Sequence, residues 1–328
     1  MQNYSMLDLA PVSENSNISD ALSNTLDLAI YAEECGYHRY WLAEHHNMPG
    51  IASAATSVVI SRVASKTNTI RVGAGGVMLP NHSPLVIAEQ FGTLESFFPN
   101  RIDLGLGRAP GSDQLTARAL RKKSDNNQHF PSDVLELISY LSDTPNNNGV
   151  TAIPGIGTNV PVWILGSSLY GAELAAHFGL PYAFAWFFTD GHGGKEAIEI
   201  YREHYKPSDR HETPNPAICV WALAAETHEE AQYHFSSRAR WQLYRDRGLH
   251  LSFETPEVSM EQDYNEYEQA KIEELRKKTF VGTGEEVAER ISKLSKQLGV
   301  EEVAIVTWAH SDEARRNSYA EIAKAFAM

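Results

Sequence analysis

Eight times along this chain a short apolar run gives way to a helical pattern, and that alternation limits the possible folds more than any other feature. The runs lie at residues 6–10, 40–43, 70–73, 102–105, 162–165, 182–186, 217–224 and 303–306. Each is short enough for one strand, and β-α alternation of this kind builds a parallel sheet. The helical stretches have matching signals. Leu22, Leu26, Ala29 and Ile30 share one face, with Gly36 as the stop. Thr283 and Glu286 have the spacing of a capping box, in which each side chain satisfies a backbone N–H at a helix start. Further helices are expected at 54–65, 84–97 and 133–141, and a last one running to Phe326.

Eight strand–helix units predict a closed (β/α)8 barrel, the TIM-barrel class of α/β folds, as one domain over residues 1–328. An open doubly wound sheet is the weaker fit. It would carry a glycine-rich nucleotide fingerprint in its first turn, and residues 11–17 contain no glycine. Residues 245–278, charged and rich in Tyr and Glu, form an insertion between strands seven and eight. A segment of that length reads either as a lid over the barrel mouth or as a solvated helical insertion.

Charge narrows the function. With 28 basic and 42 acidic residues the net charge is −14, which disfavours nucleic acid as a partner. Cys35 and Cys219 form no C-x-x-C pair and are expected to be reduced and structural. The first residues lack a signal-peptide pattern, and no apolar run reaches membrane-span length. A soluble, cytoplasmic protein with a small-molecule substrate is the expectation.

Barrel chemistry sits at the C-terminal ends of strands. Strand two ends in Glu44-His45-His46, a grouping suited to acid–base work or, less well, to a metal. His82 is another histidine near a strand end. Strand three ends in Gly73-Ala74-Gly75-Gly76, small enough for a flat ligand to lie on the backbone or simply for a tight turn. After strand four comes Gly105-Leu106-Gly107-Arg108-Ala109-Pro110-Gly111. It fails as a dinucleotide motif because Pro110 occupies the last glycine's place, but Arg108 suits a phosphate or a structural ion pair. Strand five leads into a helix through Gly166-Ser167-Ser168-Leu169-Tyr170-Gly171. That segment is either a phosphate site or an ordinary serine cap. Trp186-Phe187-Phe188 ends strand six and can wall a ring or fill the core.

Taken in order, four of these blocks resemble the luciferase-like monooxygenases: Tyr40 to His46, Val72 to Pro84, Arg101 to Gly111 and Gly166 to Trp186. The resemblance covers nearly the whole chain and points to the flavin-type branch. It implies a monooxygenase using reduced FMN and oxygen on a small organic substrate, with a separate NAD(P)H:flavin reductase as partner and a homodimer as the assembly. It makes His45 the candidate acid/base, with Glu44 beside it. It implies FMN contacts from Ala74, Gly75, Gly76, Arg108, Gly166, Ser167, Ser168, Tyr170, Gly171 and Trp186, and a cis Gly75-Gly76 bond. It makes residues 245–278 the counterpart of a mobile lid. One departure stands out: luciferases carry a reactive cysteine at the position of Gly107, which disfavours light emission from a long-chain aldehyde.

Three alternatives stay open at this stage. They are a deazaflavin (F420)-dependent hydride-transfer enzyme, a flavin-binding protein without turnover, and a metal-dependent hydrolase using Glu44, His45 and His46.

Overall fold

A computed structural model describes residues 2–14, 16–109, 113–120, 126–144, 149–249 and 251–327. The strands are β1 (Asn3–Asp8), β2 (Arg39–Leu42), β3 (Arg71–Met78), β4 (Ile102–Gly107), β5 (Val162–Gly166), β6 (Tyr182–Ala185), β7 (Pro216–Ala225), β8 (Phe280–Thr283) and β9 (Glu302–Val306). All their pairings are parallel. β1 to β7 pair in sequence order, β7 pairs with β9, and β9 returns to β1. This is the closed eight-stranded barrel, with helices packed around it.

β8 lies outside the ring. β7 is ten residues long, so after pairing with β9 through Trp221 it has a free end. Residues 280–283 pair with that end, from Ala222 to Ala225. Sequence patterning places no strand here, because four residues before a capped helix have no room to show a period. The expected capping box of Thr283 and Glu286 opens the helix Gly284–Leu298. The helix Pro84–Phe97 has its expected bounds, whereas the helix Gln114–Leu120 has no counterpart in the pattern.

Strand side chains alternate between two cores. Met6, Tyr40, Leu42, Val72, Ile102 and Leu104 face the helices. Leu7, Trp41, Trp163, Ala217, Cys219 and Trp221 fill the barrel. The Trp41 and Trp163 indoles meet edge to face at 5.3 Å. Glycine makes room for them: a Cβ on Gly75 would stand 2.9 Å from the Trp41 Cβ. Cys219 is buried and unbonded, and burial pushes its thiol well above the usual range, as expected for a structural cysteine.

At the N-terminal end the barrel is closed by charge. Asp103, wholly buried, binds Arg39 and Arg71 at 2.6 Å each, and Arg39 also reaches Glu302 at 3.2 Å. Behind the barrel wall, Arg315 of the last helix (Asp312–Phe326) meets Asp8 at 2.7 Å, both side chains buried. Thr25 and Tyr40 donate further bonds to the same carboxylate.

The insertion is helical. Pro256–Met260 and Glu266–Lys278 are helices, and the second opens with a capping box of Asn265 and Glu268. Ion pairs Arg240–Glu254 and Arg247–Glu268 tie the segment to the helix His228–Asp246 and its end. Among the described residues no helix is long and apolar enough to cross a membrane.

Candidate active site

Glu44, just past β2, is the hub of the barrel mouth. It is 2% exposed. One of its oxygens accepts from Nε2 of His46 and of His82, each at 2.8 Å, and the other from the Met78 amide at 3.1 Å. Burial alone would raise its pKa. The bonds from His82 and His46, with the His82 charge, hold the carboxyl below its ordinary value instead. Glu44 thus stays ionised and fixes both imidazoles, together with the segment that follows β3.

His45 faces the other way. Its backbone amide donates to Ser53 at 3.0 Å, and its ring nitrogen Nδ1 is buried with no hydrogen-bond partner. Burial, aided by the Arg245 charge, pushes its pKa down to about 4, so the ring is neutral near pH 7. A buried nitrogen without a partner is costly unless a ligand satisfies it. Glu44, His45 and His46 do not converge as the metal-hydrolase alternative requires. The cluster is Glu44, His46 and His82, whose candidate ligand atoms all lie within 4.8 Å of one another. The 2.8 Å separations are those of histidines donating to a carboxylate.

Beside this hub, β3 and β4 present bare backbone. The Gly75-Gly76 bond is cis, and the register between the two strands shifts there. A Cβ on Gly76 would stand 2.6 Å from the Gly105 carbonyl oxygen and from Leu165. Ala74, by contrast, points outward into the helix-facing core, so only its backbone can serve a ligand. At Gly107 a Cβ would meet the Met78 thioether at 2.7–2.9 Å. Met78 fills the room where luciferases carry their cysteine.

A third component lies after β4 and β5. Arg108 is exposed, stacks on the Tyr170 ring at 4.0 Å and makes no ion pair among the described residues. The structural ion-pair reading therefore finds no support. Ser168 precedes the helix Leu169–Phe178 but its side chain makes no cap bond, and Ser167 beside it is exposed. The first N–H groups of a helix lack partners within it. Gly166 and Gly171 let strand end and helix start close on each other: a Cβ on Gly171 would lie 3.5 Å from the Gly166 Cα. A free guanidinium, free hydroxyls and a helix N-terminus together suit a phosphate. Pro110 and Gly111 lie outside the described residues.

Trp186 departs from the sequence expectation. It starts a one-turn helix, Trp186–Thr189, instead of ending β6. Its indole packs on Gly194, where a Cβ would stand 2.6 Å away, and edge-on to Phe184 of the outer core. Phe187 is the member of the aromatic run that joins the barrel-side cluster, 6.4 Å from Trp308. Sequence reasoning also missed Arg238, which lies buried among Trp221, Trp241 and Trp308. Its signal is faint: one arginine in a charged helix, with its tryptophans scattered over 88 residues.

The mouth of the barrel thus joins an ionised Glu–His hub, a buried imidazole nitrogen without a partner, glycine backbone and a corner suited to an anion. The family model of luciferase-like monooxygenases matches residues 3–302. The chain belongs to that family. It is 45% identical to a luciferase-like monooxygenase of Escherichia coli strain K12, over 96% of this chain and 94% of the other. It is 34% identical to the N-acetyl-S-alkylcysteine monooxygenase of Bacillus subtilis strain 168, over 94% and 93%. The crystal structure of apo-MsnO8 superposes with a TM-score of 0.92 at 31% identity, covering 100% and 99%. More distant structures share the fold alone. The oxygenating constituent of 3,6-diketocamphane monooxygenase in complex with FMN has a TM-score of 0.71 at 15% identity, covering 98% and 97%. An F420-dependent secondary alcohol dehydrogenase has 0.69 at 16%, covering 99% and 98%.

Proposed function

We propose that this chain is the oxygenating component of an FMN-dependent monooxygenase that acts on a small organic substrate. The observation that carries the reading is the His45 imidazole, neutral and buried with a free Nδ1, in a mouth that also offers glycine backbone and an anion corner. These residues fit a flavin. The missing side chains of Gly75 and Gly76 admit Trp41, Leu165 and the neighbouring strand, and a ring would lie against the backbone of the same two residues. Arg108, Ser167, Ser168 and the Tyr170–Gly171 helix start would hold the phosphate. Reduced FMN supplies the electrons with which oxygen is activated.

The protein's own work is positioning and proton control. Glu44 anchors His46, His82 and the Met78 amide, which fixes the wall beside the ring. His45, neutral at pH 7, can accept a proton at Nδ1 and return it. Leu251, Phe253, Trp241 and Trp308, which line a cleft with residues 48–51, would help to keep water out. A separate NAD(P)H:flavin reductase would supply reduced FMN, which accords with the likeness to an oxygenating constituent. Thioether sulfur is one candidate site of oxidation, on the strength of the relative that acts on N-acetyl-S-alkylcysteine.

Titration of the purified protein with FMN, reduced FMN and reduced deazaflavin tests the reading. Reduced FMN should bind tightest. Arg108→Gln should weaken it roughly 10- to 100-fold, the value of a charge-assisted pair. Preference for the deazaflavin would reassign the protein to hydride transfer. Failure to bind any of them would overturn the flavin reading.

A further inference from the structure

Among the described residues two arginines are almost completely buried, and of the two Arg315 alone has a carboxylate within ion-pair distance, while Asp190 and Asp246 act on Arg238 from further off. Arg315, 3% exposed, pairs with Asp8 at 2.7 Å and Asp312 at 3.2 Å. Arg238, 4% exposed, has no carboxylate within ion-pair distance among the described residues. One Nη donates to Gln242 at 2.7 Å, and Nε is buried without any partner. Three indoles surround the guanidinium instead: Trp308 at 5.0 Å, Trp241 at 5.1 Å and Trp221 at 5.6 Å. The Nε1 of Trp221 is likewise buried and unbonded. Burial, with the nearby Arg245 charge, pushes the guanidinium down to about 9, which still leaves it cationic at neutral pH.

Cation–π contact offsets part of the cost of burying a charge, but it cannot satisfy N–H donors. The residues that carry these two unpartnered donors, Arg238 and Trp221, both line one narrow cavity, beside Asp190 and Lys278, which pair with each other at 3.6 Å. The cavity holds about 10 Å³, the room of roughly one water, so it takes the oxygen end of a ligand and not its body. Trp241 and Trp308, which flank the guanidinium outside that cavity's lining, border a separate apolar cleft at the mouth with Leu9, Met48, Ile51, Arg245 and Phe253. Residues 48–51 of that cleft follow directly on Glu44-His45-His46, and Arg245 is the cation that acts on His45.

We infer that Arg238, with the Trp221 indole N–H, is the anchor for a carboxylate on the substrate. The substrate is then a small organic acid. Its carboxylate lies in the tryptophan cage, its apolar body in the cleft that Trp241 and Trp308 border and its oxidisable atom toward His45. This rests on the oxygenase reading for the last point only; the anion site stands on its own geometry. Specificity follows from the cost of an unmet buried charge: an uncharged analogue of the same shape leaves Arg238 unsatisfied.

The test is a matched pair of probes, 4-phenylbutyrate and 4-phenylbutanamide, titrated calorimetrically into the protein at neutral pH with and without FMN. The acid should bind at least about tenfold more tightly than the amide, the smaller end of what a charge-assisted bond contributes. R238Q should abolish that preference and R238K should keep part of it, while FMN affinity stays at the unsubstituted level in both. Equal affinity for acid and amide in the unsubstituted protein overturns the proposal, and that comparison needs no variant to fold. So does a preference that survives R238Q, or no binding of either probe. Loss of FMN binding with the acid preference intact would sink the flavin reading and leave this one standing.

Discussion

Glu44 and His82 are 38 positions apart in the chain and 2.8 Å apart in space, joined from the end of β2 to the turn after β3. His46 meets the same oxygen. Glu44→Gln keeps the shape and removes the charge that holds both rings. At pH 7 it should cost about 1–3 kcal/mol, the usual penalty for disturbing a buried charged hydrogen-bond set. The folded pKa lies below the unfolded one. The stabilisation is therefore present above about pH 4.5 and fades as pH falls through the folded value. Urea melts of both proteins from pH 7 to 3 check this; a gap of constant size across that range would be the wrong result.

His45 has the same sign in a different pH window. Its pKa is lowered to about 4, so the unfolded chain binds a proton that the folded chain refuses between pH 6.5 and 4. Above pH 6.5 the group is indifferent. Below it the protein loses stability, up to about 3 kcal/mol by pH 4. His45→Gln should remove that loss, and Arg245→Gln should raise the His45 midpoint. Nitrogen-15 NMR of the ring reads the midpoint directly, and a value near 6.5 would remove His45 from the buried, neutral role.

Asp8 and Arg315 test the outer wall. Asp8→Asn leaves the buried Arg315 cation with the half-exposed Asp312 as its one remaining carboxylate and should cost about 3 kcal/mol, the lower end for breaking a buried pair. Replacing both residues with apolar ones of similar size should cost less than either single change. Chemical denaturation of the four proteins in the cycle gives the coupling energy. Additive losses would mean that the pair contributes little.

Gly76→Ala should be disruptive for so small a substitution. Its Cβ would stand 2.6 Å from the Gly105 carbonyl, which belongs to a barrel strand and cannot step aside. A loss of about 1–3 kcal/mol, with weaker FMN binding, is expected from overpacking. Gly50→Ala is the control, because nothing lies within 4 Å of its added carbon. Thermal melts and flavin titration of the two variants should diverge.

The barrel was legible because its evidence is periodic. Trp41 and Leu42 point to opposite cores, and that alternation repeats in strand after strand. The ends of β2, β4 and β5 were legible as candidate site material because Glu44, Arg108 and Ser168 follow closely on those strands; Gly75, expected at the end of its strand, lies inside β3, which runs on to Met78. What failed to show was contact between distant segments. Nothing in the sequence says that Glu44 binds His46 and His82 and leaves His45 free. The Trp186 ring turns outward because Gly191 and Gly194 follow it and admit it, a relation without periodicity. Arg238 was hidden for the same reason, since a missing counterion is a property of three-dimensional surroundings. β8 exists only because β7 overruns its neighbour.

The ionic plug of Arg39, Arg71, Asp103 and Glu302 has a consequence for traffic. With one end sealed, the barrel has a single doorway. A ligand can reach the Glu44–His45 end of the strands only from the mouth, where Leu251 and Phe253 share a cleft with Met48 and Ile51. Under the proposed function, cofactor and substrate would share that one entrance, and the one that binds deeper would have to arrive first and leave last.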